Sequence, residues 1–395
     1  MREDLKGKLD ESVPEDVTLS DAKKRQIFKA AQNRDSGRKP LRLPKMLPAL
    51  AGVAVIGLGG ILGYPYVSDW QEERGAEGEA ELSEPQKLVV PGHDYPVLIE
   101  SEYDDQSEKL FYNDGSNLYS FDPAAGEELI VASLEEKVST YQFAVEGNWL
   151  AWEENGEEIA NLKIMNRDTE EVETIEDVSV IDLHIEDENL VYARFGVEDD
   201  KPKYLSIDLN TMESQTVHEM TGRGSNSAAS VWGGKLVIPE GALDGEKTVS
   251  EFHLYDLKEN TLIENTLIET FTLPYQSAAG VTLIDNRIYA HFSNEGMTDS
   301  VLGYVDIETG EFTEIPAPDF FEFAVYGDYL ALSVSDEADS SDVQLYRMTG
   351  SELGEVPAFS AIEERLVRPR FTDEGTLVVN GEGEDKAMYL LDVSE

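Results

Sequence analysis

Seven times along this chain a turn is followed by a short apolar strand, at nearly constant spacing. The segments are EKLFY at 108–112, GNWLAW at 147–152, ENLVY at 188–192, GGKLVI at 233–238, DNRIYA at 285–290, GDYLAL at 327–332 and EGTLVV at 374–379. Their leading apolar residues are Leu110, Leu150, Leu190, Leu236, Ile288, Leu330 and Leu377, set 40, 40, 46, 52, 42 and 47 residues apart. Each is followed by a second strand that ends in a polar turn, as in LYSFDPAAGEE and GYVDIETGEF. Asp122, Asp208, Asp256, Asp306 and Asp392 hold matching places in five units, with Asn166 nearby in the second and Arg347 in the sixth. A repeat of about 40–50 residues with room for four strands predicts an all-β fold, a seven-bladed β-propeller. One small twisted sheet cannot bury both of its faces, so neighbouring sheets must stack around an axis. Six blades result if one unit is irregular, and the fourth is the stretched one, with the near-duplication ENTLIENTLIET at 259–270. The last unit stops after its third strand. A strand near Lys87–Val90 is therefore expected to complete that blade and remove an open edge.

Ahead of the repeats, residues 46–67 read MLPALAGVAVIGLGGILGYPYV and carry no charge. A transmembrane helix needs about 20 apolar residues. Residues 1–45 hold 12 Lys/Arg against 8 Asp/Glu, net +4, whereas residues after 67 hold 19 against 73, net −54. Basic residues before a span mark the cytoplasmic side, so the C-terminal domain is expected outside the cell membrane, in the envelope. A cleaved signal peptide would have a shorter head and a small-residue cleavage site. Tyr64, Tyr66 and Trp70 instead suit the outer interface of an uncleaved anchor. The predicted divisions are a basic helical head at 1–45, the span at 46–67, an acidic linker at 68–86 and the propeller at 87–395. Within the head, Ser20 can cap a short helix that sets Ile27 and Phe28 against Lys23, Lys24, Arg25 and Lys29. That helix rests on anionic lipid, or it presents Ile27 and Phe28 to a cytoplasmic regulator.

The charge balance also limits partners. A formal net charge of −50 disfavours nucleic acid, whose phosphates need Lys and Arg. The absence of cysteine excludes disulfides and Cys-ligated metal sites. The acidic run of Asp336, Glu337, Asp339 and Asp342 lacks the glycine and terminal glutamate of a calcium loop and reads as solvated. His93, His184, His218, His253 and His291 fall in different units, with no H-E-x-x-H among them. Neither a G-x-S-x-G elbow nor a phosphate loop is present. Carboxylates are so abundant that acid pairs carry no information here. No catalytic residue, metal ligand or cofactor is therefore assigned. One basic cluster stands out: ERLVRPRF at 364–371 precedes Leu377, and its residues 367–371 are expected to be the innermost strand of the last blade. Arg368 and Arg370, two apart, would share a face of that strand and form a candidate anion site in the channel, or pair with nearby Asp and Glu.

Through the repeated unit seen in YVDIETGEF, residues 87–395 resemble bacterial extracytoplasmic propellers of the broad TolB-like or YVTN-like kind. That resemblance implies fold rather than function. The first 34 residues, DLKGKLDESV followed by LSDAKKRQIFKAAQNR, are similar to the cytoplasmic heads of membrane-bound anti-sigma regulators of Bacillus-type bacteria, without a Cys/His zinc motif. This second likeness implies a single-pass topology and a regulatory role. The expected function is a membrane-anchored module for protein interaction or sensing, with an envelope protein or ligand at the propeller. The alternative is a tethered ligand-binding or hydrolytic propeller acting on envelope material.

Overall fold

The computed structural model describes residues 82–395, apart from residues 94, 135–141, 156–159, 196–200, 222–226, 245–246, 258–265, 274, 295–299, 336–340, 351 and 395. They form seven four-stranded antiparallel sheets. Blade 1 comprises Glu102–Asp104, Lys109–Asn113, Asn117–Asp122 and Glu127–Ser133; blade 2 comprises Phe143–Glu146, Trp149–Asn155, Ala160–Asn166 and Glu171–Ile175. Blade 3 holds Ser179–Glu186, Asn189–Phe195, Lys203–Asp208 and Glu213–Glu219; blade 4 holds Ser230–Trp232, Lys235–Asp244, Lys247–Asp256 and Thr266–Leu273. Blade 5 holds Ser277–Ile284, Arg287–Ser293, Ser300–Asp306 and Phe312–Ile315; blade 6 holds Phe320–Tyr326, Tyr329–Ser335, Ser341–Thr349 and Glu352–Val356. Blade 7 is built from Leu366–Phe371, Thr376–Gly381 and Met388–Asp392, with Gln86–Leu88 as its fourth strand. This is a seven-bladed propeller, and the stretched fourth unit is a regular blade with two ten-residue middle strands.

The seven leading residues of the repeat all lie in second strands and are all buried, none more than 1% exposed. They belong to seven apolar clusters, one at each junction between successive blades. Leu150, for example, packs with Phe111 and Trp152 between blades 1 and 2, and Leu236 with Val191 and Tyr204 between blades 3 and 4. No blade has a core of its own, which is why the repeat must go full circle. The turn before each leading residue uses positive φ: Glu108, Gly147, Asp187, Gly233, Asp285, Gly327 and Gly375 all have it. Tight hairpin turns need that conformation to match the twist of the strands. The recurrent Asp has a local task as well. Asp122, Asp208 and Asp306 each accept the backbone N–H groups two and three residues on, closing the turn to the outer strand. Asn166 does the same in blade 2.

Ring closure follows the expected route, with the strand starting at Gln86. Gln86, Lys87 and Leu88 pair with Leu390, Tyr389 and Met388. Leu88 and Val90 are buried with Leu110 and Tyr112 of blade 1 and Leu390 of blade 7, so blades 7 and 1 share a core. Leu82 already packs against the core between blades 6 and 7. The head, the span at 46–67 and Ile27 and Phe28 lie outside the described residues. Among the described residues no helix is long and apolar enough to cross a membrane.

Candidate functional site

The first strands of successive blades pack side by side around the middle of the ring. Each has one edge without a strand partner, so its amides need other acceptors. Carboxylates accept one such amide and those of the turns that follow the first strands, in a staircase. Glu102 of blade 1 accepts the Val145 N–H of blade 2 at 3.1 Å. Glu146 of blade 2 accepts the Asp187 N–H of blade 3. Glu186 of blade 3 accepts Gly233 N–H at 2.5 Å and Gly234 N–H at 3.3 Å in blade 4. A carboxylate has about four acceptor positions, so each retains capacity toward the channel.

These groups border a cavity of about 650 Å³ at the end of the ring where first and second strands are joined. Glu102, Asp104, Asp105, Glu146, Glu186, Asp187, Asp373 and Glu374 line it, against Arg370 and His184, with Tyr103, Trp232 and Phe371 as aromatic wall. Burial pushes Glu102 up to about 8, despite its bond from Val145 N–H. Burial, reinforced by the charge of Asp373, pushes Glu146 up to about 7. Burial likewise lifts Glu186 to about 7 against the two glycine amides. Asp373 is raised by the protein around it, with the His184 charge opposing. Burial is thus the main cause that raises the carboxyls of this mouth.

His184 is set in place by a bulge. The first strand of blade 3 shifts register between Ile181 and His184, and Asp182 there has φ 61°. A bulge re-aims side chains next to it. Asp182 meets His184 Nε2 at 2.7 Å and accepts the Tyr204 hydroxyl at 2.7 Å and the Ala229 N–H at 2.6 Å. Burial would raise Asp182, but the bonds from His184, Tyr204 and Ala229 hold it below the ordinary value. Burial would lower His184, but the Asp182 bond and charge outweigh it, with Glu102 and Asp373 adding to the rise.

Another bulge governs the two arginines. The register of Leu366–Phe371 shifts between Val367 and Arg370, and Arg368 has φ 57°. The simple alternation that would put both side chains on one face is broken there. Arg368 turns to Glu100 at 2.7 Å and Glu322 at 3.6 Å. Arg370 lines the mouth and bonds Ser101 O at 3.1 Å, Ser101 Oγ at 2.9 Å, Asn380 Oδ1 at 2.6 Å and Arg368 O at 3.2 Å. It ties blade 7 to blade 1 and, with His184, sets basic groups against the acidic rim. The acidic mouth was hidden in the sequence by the sheer number of carboxylates. Likewise His218 and His253, in different repeat units, face each other across adjacent blades with ring centroids 4.7 Å apart. Their spacing in sequence carries no motif that would reveal this.

Fold and site together define a closed seven-bladed propeller with an acidic, aromatic-walled mouth. No family model matches the chain, and no curated protein matches it. Solved structures of similar fold include the tricorn protease, at 12% identity and TM-score 0.53 over 78% of this chain and 34% of that one. Others are the β-propeller domain of the Trilobed protease from Pyrococcus furiosus, at 15% identity and TM-score 0.49 over 66% of this chain and 83% of that one, and a prolyl endopeptidase, at 14% identity and TM-score 0.48 over 84% and 56%. At such identities the likeness extends to the propeller fold alone.

Proposed function

We propose that the propeller is a binding and sensing module whose acidic mouth takes a cationic group, such as an organic amine or a basic side chain of an envelope protein. One observation carries this reading: carboxyls from blades 1, 2, 3 and 7 converge on one cavity walled by Tyr103, Trp232 and Phe371. Carboxylates and aromatic faces are the two surfaces that attract organic cations. Thermal shift and calorimetry with a short Lys/Arg peptide and its Glu counterpart test it. The basic peptide alone should bind, and Glu146→Gln with Asp373→Asn should weaken it about tenfold, worth about 1.4 kcal/mol. The same number of neutralisations on the exposed outer strand of blade 2, Glu171→Gln and Glu173→Gln, should change little. Equal effects of the two pairs would mean that general acidity, not the mouth, attracts the peptide.

A hydrolytic role is the second reading, and the Asp182–His184 pair favours it: a histidine oriented by a buried carboxylate, beside carboxyls raised to about 7, is the equipment of general acid–base chemistry. Turnover of a peptide or glycoside panel that disappears in His184→Ala would put this reading first. The module is further proposed to be tethered by residues 46–67 with residues 1–45 in the cytoplasm, where Ile27 and Phe28 contact a regulator of the anti-sigma type. The charge step across the span and the likeness of the head support that arrangement.

A further inference from the structure

Away from the mouth, on the junction between blades 3 and 4, two imidazoles converge on one carboxylate. Glu240 lies in the second strand of blade 4, directly opposite Glu251, and His253 is opposite Ile238. Partners across a ladder share a face, so Glu240, Glu251 and His253 continue the face that Leu236, Ile238 and Tyr255 pack against blade 3. His218, in the outer strand of blade 3, reaches across to it. Its Nε2 is 3.1 Å from Glu240 Oε2, and His253 Nε2 is 3.6 Å from the same oxygen. The ligand atoms of all three residues lie within 4.8 Å of one another.

We infer that His218, Glu240 and His253 form a binding site for a divalent first-row transition metal of the zinc class, with Glu251 or water completing a tetrahedron. The donor set is the first argument. Two imidazoles and a carboxylate suit zinc and its neighbours, whereas calcium and magnesium take oxygen ligands. A small contraction of the cluster brings the donors to the roughly 2 Å of zinc bonds. The surroundings are the second argument. A metal-bound imidazole donates its other N–H to a fixed acceptor. His218 Nδ1 meets the Tyr255 hydroxyl at 2.6 Å, and His253 Nδ1 meets Thr270 Oγ1 at 3.3 Å. Both rings are thereby held with Nε2 toward Glu240. The other carboxylate oxygen, Glu240 Oε1, accepts the Thr221 N–H and, at 2.7 Å, the Thr221 hydroxyl. The third argument is charge. Glu240 is 3% exposed, and among the described residues its ion-pair partners are only these two histidines. A buried carboxylate is costly without a compensating cation. Glu251 Oε2 lies 3.9 Å from His253 Nε2, the nearest further carboxylate to that ring among the ion pairs of the described residues.

The test uses the full-length chain, stripped with a chelator and titrated with zinc in excess magnesium to mask loose binding by surface acids. The expected result is about one zinc per chain, a raised melting temperature, and at least about tenfold weaker binding in His218→Gln with His253→Gln. Cobalt titrated into the unaltered chain should give the intense visible bands of a tetrahedral site, bleached by one equivalent of zinc. This arm stands even if the double variant folds poorly. Absence of stoichiometric uptake, uptake unchanged in a folded double variant, or only the weak bands of octahedral cobalt would each overturn the site.

Discussion

At the scale of single residues, the mouth makes a prediction about pH. Glu102 is raised from 4.5 to about 8, and Glu146 and Glu186 to about 7. Between these values and the ordinary carboxyl range, the folded protein holds more protons than the unfolded chain. Stability contributed by such groups is complete below the unfolded pKa and is lost as pH rises through the folded one. The melting temperature should therefore fall between about pH 5 and about pH 9, and Glu102→Gln should flatten the fall. Gln keeps an acceptor for the Val145 N–H, so the variant isolates the ionisation. An unchanged slope in a pH series of thermal melts would show that Glu102 titrates normally. The buried leading residues and the turn aspartates were legible in the sequence because each acts within its own unit: alternation fixes the face, and the Asx turn needs only local backbone. Asp182 and Arg368 were not. Bulges put both at positive φ, and no local pattern in IDLH or VRPR announces the extra residue.

Among the elements, the closing strand has the least redundancy. Gln86–Leu88 contributes three paired residues to blade 7, yet it covers the only edge at which the ring begins and ends. Leu88 is 5% exposed and reaches the core shared by blades 7 and 1. Leu88→Asp buries an unpaired charge there and should cost about 2–4 kcal/mol, lowering the melting temperature by several degrees. Exposed edges also invite pairing between chains, so the variant should form oligomers on light scattering. A monomeric variant with an unchanged melt would show that the shared core holds the ring closed without the strand. This element was readable from the missing fourth strand of the last repeat. The site at blades 3 and 4 was not, because residues 218, 240 and 253 meet only through the lateral packing of two blades, which no single-unit pattern encodes.

For the whole molecule, the two halves of the charge distribution set the expectation. Residues 1–45 carry net +4 and the residues after 67 carry net −54. If residues 46–67 span the membrane with the basic side inward, protease added to intact protoplasts should digest the propeller and leave the head protected. Pull-down with the full chain should then capture a cytosolic protein that is lost when Ile27 and Phe28 are both changed to Asp. A cytoplasmic reporter fused after Glu395 that stays active would reverse the proposed orientation.

The position of the clasp has a mechanical consequence. A load applied to the chain ahead of the clasp meets Leu82, packed against the core between blades 6 and 7, and then Gln86–Leu88. The clasp meets its neighbour antiparallel over three positions, with Gln86 against Leu390 as the first to take the strain. The strand that seals the ring is thus also the element through which a load on its N-terminal side enters the fold.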